Sequence, residues 1–140
     1  MIEMYKKVVF ENYANFKGRA RRSEYWYFVL ANLCILIFLL VCGAIVGGIF
    51  ASENAVAQGI VWGYIIYMVY SLVVMIPGIA VFSRRMHDID KSGWLFLLSI
   101  IPFGAIILLV FLSTDGVRGT NKYGDDPKNL YDELTKIGKE

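Results

Sequence analysis

Two short stretches concentrate the side chains able to do chemistry. The first, Phe16-Lys-Gly-Arg-Ala-Arg-Arg-Ser-Glu-Tyr-Trp26, sets Arg19, Arg21 and Arg22 beside Glu24. The second, Arg84-Arg-Met-His-Asp-Ile-Asp90, sets Arg84 and Arg85 beside His87, Asp88 and Asp90. A guanidinium fork matches a carboxylate or a phosphate with two parallel hydrogen bonds. These residues therefore suit two jobs that are compatible with each other. They can form ion pairs that tie one segment to the other, or they can hold the phosphate of an anionic lipid. His87 is the only histidine. With Asp88 and Asp90 it has the makings of a polarised general base or part of a metal shell. No second histidine or cysteine is spaced to complete such a shell. There is no nucleophile motif, P-loop or dinucleotide fingerprint. The expectation is a structural His–Asp hydrogen bond, with no catalytic residue, metal or cofactor.

The elements that must position these residues are apolar. Hydrophobic residues make up 57% of the 140-residue chain and charged ones 19%, against about a quarter in soluble domains. The apolar residues fall into three runs, about 25–50, 60–82 and 94–112, each near the roughly 20 residues that a bilayer span needs. Each run is apolar on every face, so a soluble domain of this size could hardly cover them. The fold class expected is a single all-α membrane domain over residues 1–140. It has three transmembrane helices, a basic amphipathic segment at 1–24 and a polar tail at 113–140 ending in a short helix. The first run is far longer than the 7–15 apolar residues of a cleavable signal, so it reads as an uncleaved span. Cys34 and Cys42 both fall inside it and read as packing residues.

Charge placement gives the orientation. Residues 1–24 hold six Lys/Arg, the 51–59 loop none, the 83–93 loop three and the tail five beside six acids. Short loops rich in Lys/Arg stay cytoplasmic, so the N-terminus and the 83–93 loop are expected inside. A net charge of +2 gives no reason to expect a nucleic-acid partner. No span contains Asp, Glu, Lys or Arg, which argues against ion-coupled transport.

Within this frame, Ile2, Tyr5, Val9, Tyr13 and Phe16 fall at helical spacing, which predicts an amphipathic helix over 1–16 closed by Gly18. Such a helix lies in the membrane interface or packs on the protein itself. Gly43 and Gly47 form a small-residue pair that suits packing against Gly59 and Gly63, or a homodimer. Tyr64, Tyr67 and Tyr70 share one side of the second span and are expected to face other helices, with Asn32 or Ser99 as partners. That side is also where an oligomeric channel would be lined. The third run carries Pro102-Phe-Gly104 at its middle. A kinked continuous helix is the first expectation, which leaves the tail outside. The alternative is a hairpin turning at Pro102, which would return the tail to the cytoplasm. Asn121, Asp125 and Asp126 offer hard oxygens but match no established calcium loop.

Three motifs occur together: FKGRARRSEYW at 16–26, RRMHDIDKSGW at 84–94 and GTNKYGDDP at 119–127. In these the chain resembles the domain of unknown function 805 family of small bacterial inner-membrane proteins, over nearly its whole length. The resemblance implies a bacterial inner-membrane location and three or four helices. It also makes Gly18, Arg19, Arg22, Glu24, Trp26, Arg84, Arg85, His87, Asp88, Ser92, Gly93, Trp94, Asn121, Gly124 and Pro127 part of shared motifs. It implies no particular activity. Some members carry an extra zinc-binding segment, for which this chain has no cysteines. The resulting expectation is a non-enzymatic membrane protein whose cytoplasmic arginine collar binds anionic lipid headgroups or a protein partner. The rival expectations are an oligomeric channel or small-solute transporter, and a membrane enzyme using His87 and Asp88.

Overall fold

The computed structural model describes residues 2–49 and 54–128. The short helix expected after Pro127 lies almost wholly outside them. Five elements follow in order. They are α1 (Ile2–Lys6, continued by a π turn Lys7–Glu11), α2 (Arg22–Ile49), α3 (Ala55–Asp88), a 3₁₀ helix (Gly93–Ile100) and α4 (Gly104–Ser113). Among the described residues no strand forms, only an isolated bridge between Asn121 and Gly124.

Helices α2 and α3 are long and apolar enough to cross a membrane. They form an antiparallel pair closed by glycine. A β-carbon on Gly43 would lie 2.2 Å from the carbonyl oxygen of Gly59, and one on Gly59 would lie 2.0 Å from that of Gly43. Gly47 sits equally tightly on Ala55, and Gly63 on Leu39. The four glycines thus meet within the chain, at backbone contact that a side chain would forbid. The 34 residues of α3 span about 51 Å, against about 30 Å of bilayer hydrocarbon. The helix is thus longer than such a layer is thick, and its charged residues fall in its last turns, Arg84 to Asp88.

The N-terminal helix is shorter than its apolar spacing predicts. It stops at Glu11, where Asn12 bonds back to the Lys7 carbonyl and Asn15 to the Asn12 side chain. Such local bonds compete with the helical ladder. Gly18 does take a left-handed conformation (φ 81°), but in the loop beyond. Val8 is fully buried with Ala20, Phe28, Val74 and Val81, and the Tyr5 ring stacks on Phe28. So α1 packs on the protein's own helices. Of the three tyrosines on α3, Tyr70 donates to Asn32 (2.9 Å) and shares a hydroxyl contact with Tyr5 (2.6 Å). Tyr67 rests against Tyr70, but Tyr64 points outward, half exposed. Ser99 is no partner to them, since it bonds its own helix at Phe96.

The third apolar run departs from the first expectation. It forms no continuous helix over 94–112 but two short ones, of 8 and 10 residues, folded back on each other. Pro102 interrupts the ladder. Phe103 then takes a left-handed conformation (φ 66°). Gly104 closes so tightly on the 3₁₀ helix that a β-carbon there would sit 1.8 Å from the Leu98 carbonyl oxygen. Backbone groups at the reversal are paired locally, Ile101 to Leu98 and Gly104 to Ile101. This removes the main cost of an irregular turn among apolar residues. Both ends of the hairpin return to one turn of α3: Gly93 abuts Ser83, and the Leu112 carbonyl accepts from Arg85. Leu108 and Leu112 bury against Met86 and Ile89.

Candidate functional site: an arginine–carboxylate knot

At the end of α3 the chain gathers three distant segments on one carboxylate. Asp88 is buried. Arg19 reaches it from the N-terminal loop, with Nε and Nη2 at 3.0 and 2.9 Å from Oδ1. Arg85 reaches Oδ2 from the same helix at 2.6 Å. Both arginines also donate to backbone carbonyls, mostly of the segment after α4. Arg19 donates to those of Gly119 (2.6 Å), Val117, Gly124 (3.5 Å) and Asp88 itself (3.4 Å), and Arg85 to those of Leu112, near the end of α4 (3.3 Å), and Thr114. The Asp88 carbonyl in turn accepts from Val117 N–H (2.9 Å). Gly116 lies so close that a β-carbon would be 2.1 Å from Asp88 Oδ2. Arginine has five donors and no acceptor, and these two use them to hold one acid and six carbonyls. Burial pushes the Arg85 guanidinium below its ordinary value, against the pull of Asp88. It likewise pushes Asp88 above its ordinary range, against Arg19 and Arg85.

A second pair lies beside the first. Glu24, in the first turn of α2 and 3% exposed, accepts from Arg84 (2.7 Å) and faces Lys7 (3.3 Å). Ala20 N–H bonds the Arg84 carbonyl at 3.0 Å, so the two sequence motifs also join through backbone. Arg84 Nε and Nη2 are buried with no partner among the described residues. Arg21 grips the backbone of Pro127 and Lys128, both at 2.9 Å. Arg22 is half exposed and bonds Asp115 (2.9 Å) and the Ser113 carbonyl (3.1 Å). Asp115 is held below the usual carboxylate range by Lys128 and Arg22.

His87 does not make the expected bond to a neighbouring acid. Asp88 is turned to the arginines, and exposed Asp90 faces Lys122 at 3.5 Å. The His87 ring stacks on Tyr123 instead, with centroids 3.8 Å apart and planes within 6°. Its Nδ1 lies 3.2 Å from the Gly18 carbonyl. A carbonyl only accepts, so the proton sits on Nδ1 and Nε2 is left as an acceptor. Burial pushes the His87 pKa below its ordinary value. The Gly18 bond opposes that shift and nearby Lys122 adds to it. Asn121 donates to the His87 carbonyl at 2.9 Å. Asp126, buried near this turn, accepts from the N–H groups of Gly119 and Lys128. Asp125 accepts from Thr120. These oxygens serve the fold of the tail.

Sequence reasoning found the arginines and acids, and brought the tail to the same side only in its alternative of a hairpin at Pro102. Gly116, Val117, Gly119 and Tyr123 complete the site. The available signal was charge: five cations in a tail expected outside run against the positive-inside rule.

The comparisons agree with the resemblance in the motifs. The chain is 41% identical to the inner membrane protein YhaH of Escherichia coli (strain K12), over 91% of this chain and 98% of that protein. It is 43% identical to the inner membrane protein YhaI of the same organism, over 86% of this chain and 92% of that protein. No solved structure matches it. The family model described as "Protein of unknown function (DUF805)" matches residues 13–125, from Tyr13 to within the tail that the arginines hold, and the chain belongs to that family.

Proposed function

We propose that this chain is a multi-pass protein of the bacterial inner membrane with two full spans, a re-entrant hairpin and both polar ends in the cytoplasm. It acts by binding anionic lipid rather than by catalysis. The observation that carries this reading is the reach of Arg19 to Asp88 and to the carbonyls of Val117 and Gly119. That contact puts the N-terminal loop, the end of α3 and the tail on one face. With that face inside, all 14 Lys/Arg of the chain lie on the cytoplasmic side. The names of the two relatives support the membrane.

The knot is the scaffold, and the cations around it do the binding. Arg19, Arg84 and Arg85 are buried, so their forks are not open to a headgroup. Lys17, Lys91, Arg118 and Lys122 are exposed around them. Each cation near an anionic surface contributes about 1 kcal/mol. The four glycines are occupied within the chain, so no dimer is proposed through them. Tyr70 and Asp88 are engaged internally, and nothing favours a channel lined by the tyrosines or an enzyme built on His87 and Asp88.

Two measurements test this. Green fluorescent protein fused after Lys128 should fluoresce, and alkaline phosphatase fused there should be inactive. The opposite pattern overturns the topology. In native mass spectrometry, changing Lys17, Lys91, Arg118 and Lys122 to Gln should strip bound anionic lipid from a folded protein. Unchanged lipid retention overturns the binding role.

A further inference from the structure

A cleft of about 580 Å³ opens beside the knot, within the range of roughly 300–1,000 Å³ typical of small-molecule sites. Its walls come from the three segments that the knot brings together: Phe16 of the N-terminal loop, His87 and Ser83 of α3, Trp94 of the 3₁₀ helix and Tyr123 of the tail. The lining is largely aromatic, and three of its residues carry polar groups: Ser83, Ser92 and His87, whose Nε2 the Gly18 bond leaves as an acceptor. Trp94 is 74% exposed at the mouth, as suits a ring at headgroup depth. Lys17, Lys91 and Lys122, all exposed, each adjoin a lining residue in the chain. Lys122 also faces the exposed Asp90 and stands 5.0 Å from the Tyr123 ring centre.

An aromatic lining, a few hydrogen-bonding groups and lysines next to the lining residues suit an amphiphilic anion. We infer that this cleft holds a single anionic phospholipid, its phosphate at the lysine rim and its acyl chain along Phe16 and Trp94. A headgroup hydroxyl, as in phosphatidylglycerol, would donate to His87 Nε2. The inference rests on the lipid-binding role proposed above and adds one stoichiometric, aromatic-walled site to a diffuse attraction. A soluble phosphate ester carries the same anionic group, and the test separates the two.

The experiment uses the full chain in nanodiscs with Trp26→Phe and Trp62→Phe, so that Trp94 alone reports. Phosphatidylglycerol with brominated acyl chains, titrated into phosphatidylcholine, should quench Trp94 fluorescence and saturate at low mole fraction. Brominated phosphatidylcholine should quench only in proportion to its amount. Removing one of Lys17, Lys91 or Lys122 as Gln should raise the half-saturating fraction about fivefold. His87→Phe, which keeps the ring stack on Tyr123, should raise it as well. Equal and proportional quenching by both lipids overturns the inference. So does full competition by soluble glycerol phosphate, which would make the occupant a free ester. If quenching is unselective while native mass spectrometry still shows lysine-dependent anionic lipid, the cleft fails and the wider role stands. If lysine-dependent lipid is absent as well, both fail.

Discussion

The hydroxyl of Tyr13 donates to the carbonyl of Val73 at 2.7 Å, and Val73 is the residue whose helical donor Pro77 lacks. Proline within a helix removes the N–H that the carbonyl four residues earlier would accept. Here a side chain from the N-terminal loop fills that vacancy. It also fixes the level at which the loop crosses α3, and so where Arg19 can reach.

Tyr13→Phe should therefore lower stability by about 1 kcal/mol, the usual net contribution of one hydrogen bond. Pro77→Ala restores an N–H, so Tyr13→Phe should cost less in that background. A double-mutant cycle on thermal unfolding in detergent measures the coupling. Equal costs in the two backgrounds would refute the link.

Asp88→Ala should be among the most damaging changes outside the spans. It leaves Arg19 and Arg85 buried without their acid, a loss of about 3–5 kcal/mol when one partner of a buried pair is removed. The tail should then detach from the knot. Trypsin should cut at Arg118 and Lys122 faster than in the parent at a temperature where both remain inserted.

Gly116→Ala tests the same carboxylate from the other side. Its methyl would meet both carboxylate oxygens, at 2.1 and 2.7 Å, while two arginines hold that group in place. Overpacking of this kind costs about 1–3 kcal/mol. A thermal midpoint unchanged from the parent would mean that the segment shifts freely.

The His87 stack should weaken in acid. Folding lowers the His87 pKa, so the unfolded chain takes up its proton first as pH falls. The stability tied to neutral His87 is full above its ordinary value near 6.5 and is lost below it. Between pH 7.5 and 5.5 the parent should lose more thermal stability than His87→Phe. Parallel losses would remove His87 as the cause.

Much of this arrangement was legible in the residues themselves. The first run coincides with α2 as far as Ile49 and the second lies within α3, and Gly43, Gly47, Gly59 and Gly63 lie where the two helices touch. Two features were legible only in part, each for a physical reason. Composition cannot separate one 19-residue apolar helix from two short ones. The difference rests on the contact between Gly104 and the Leu98 carbonyl, which exists only once the turn has formed. The tail's cations hinted at its side but not at its contacts, because Arg19 and Arg85 hold it by the carbonyls of Thr114, Val117, Gly119 and Gly124, a group that every residue has. Asn12 and Asn15 are the smaller case, ending a helix whose apolar spacing runs on to Phe16.

The hairpin has a consequence for the shape of the molecule. Near Gly43 and Gly59 the cross-section is two helices pressed together at backbone contact. Near Phe82 and Leu108 it also includes the two arms of the hairpin, with α1 against α3 close by. In the topology proposed above such a body would be a wedge, displacing more lipid from one leaflet than from the other. Its broad end is the one that carries the knot.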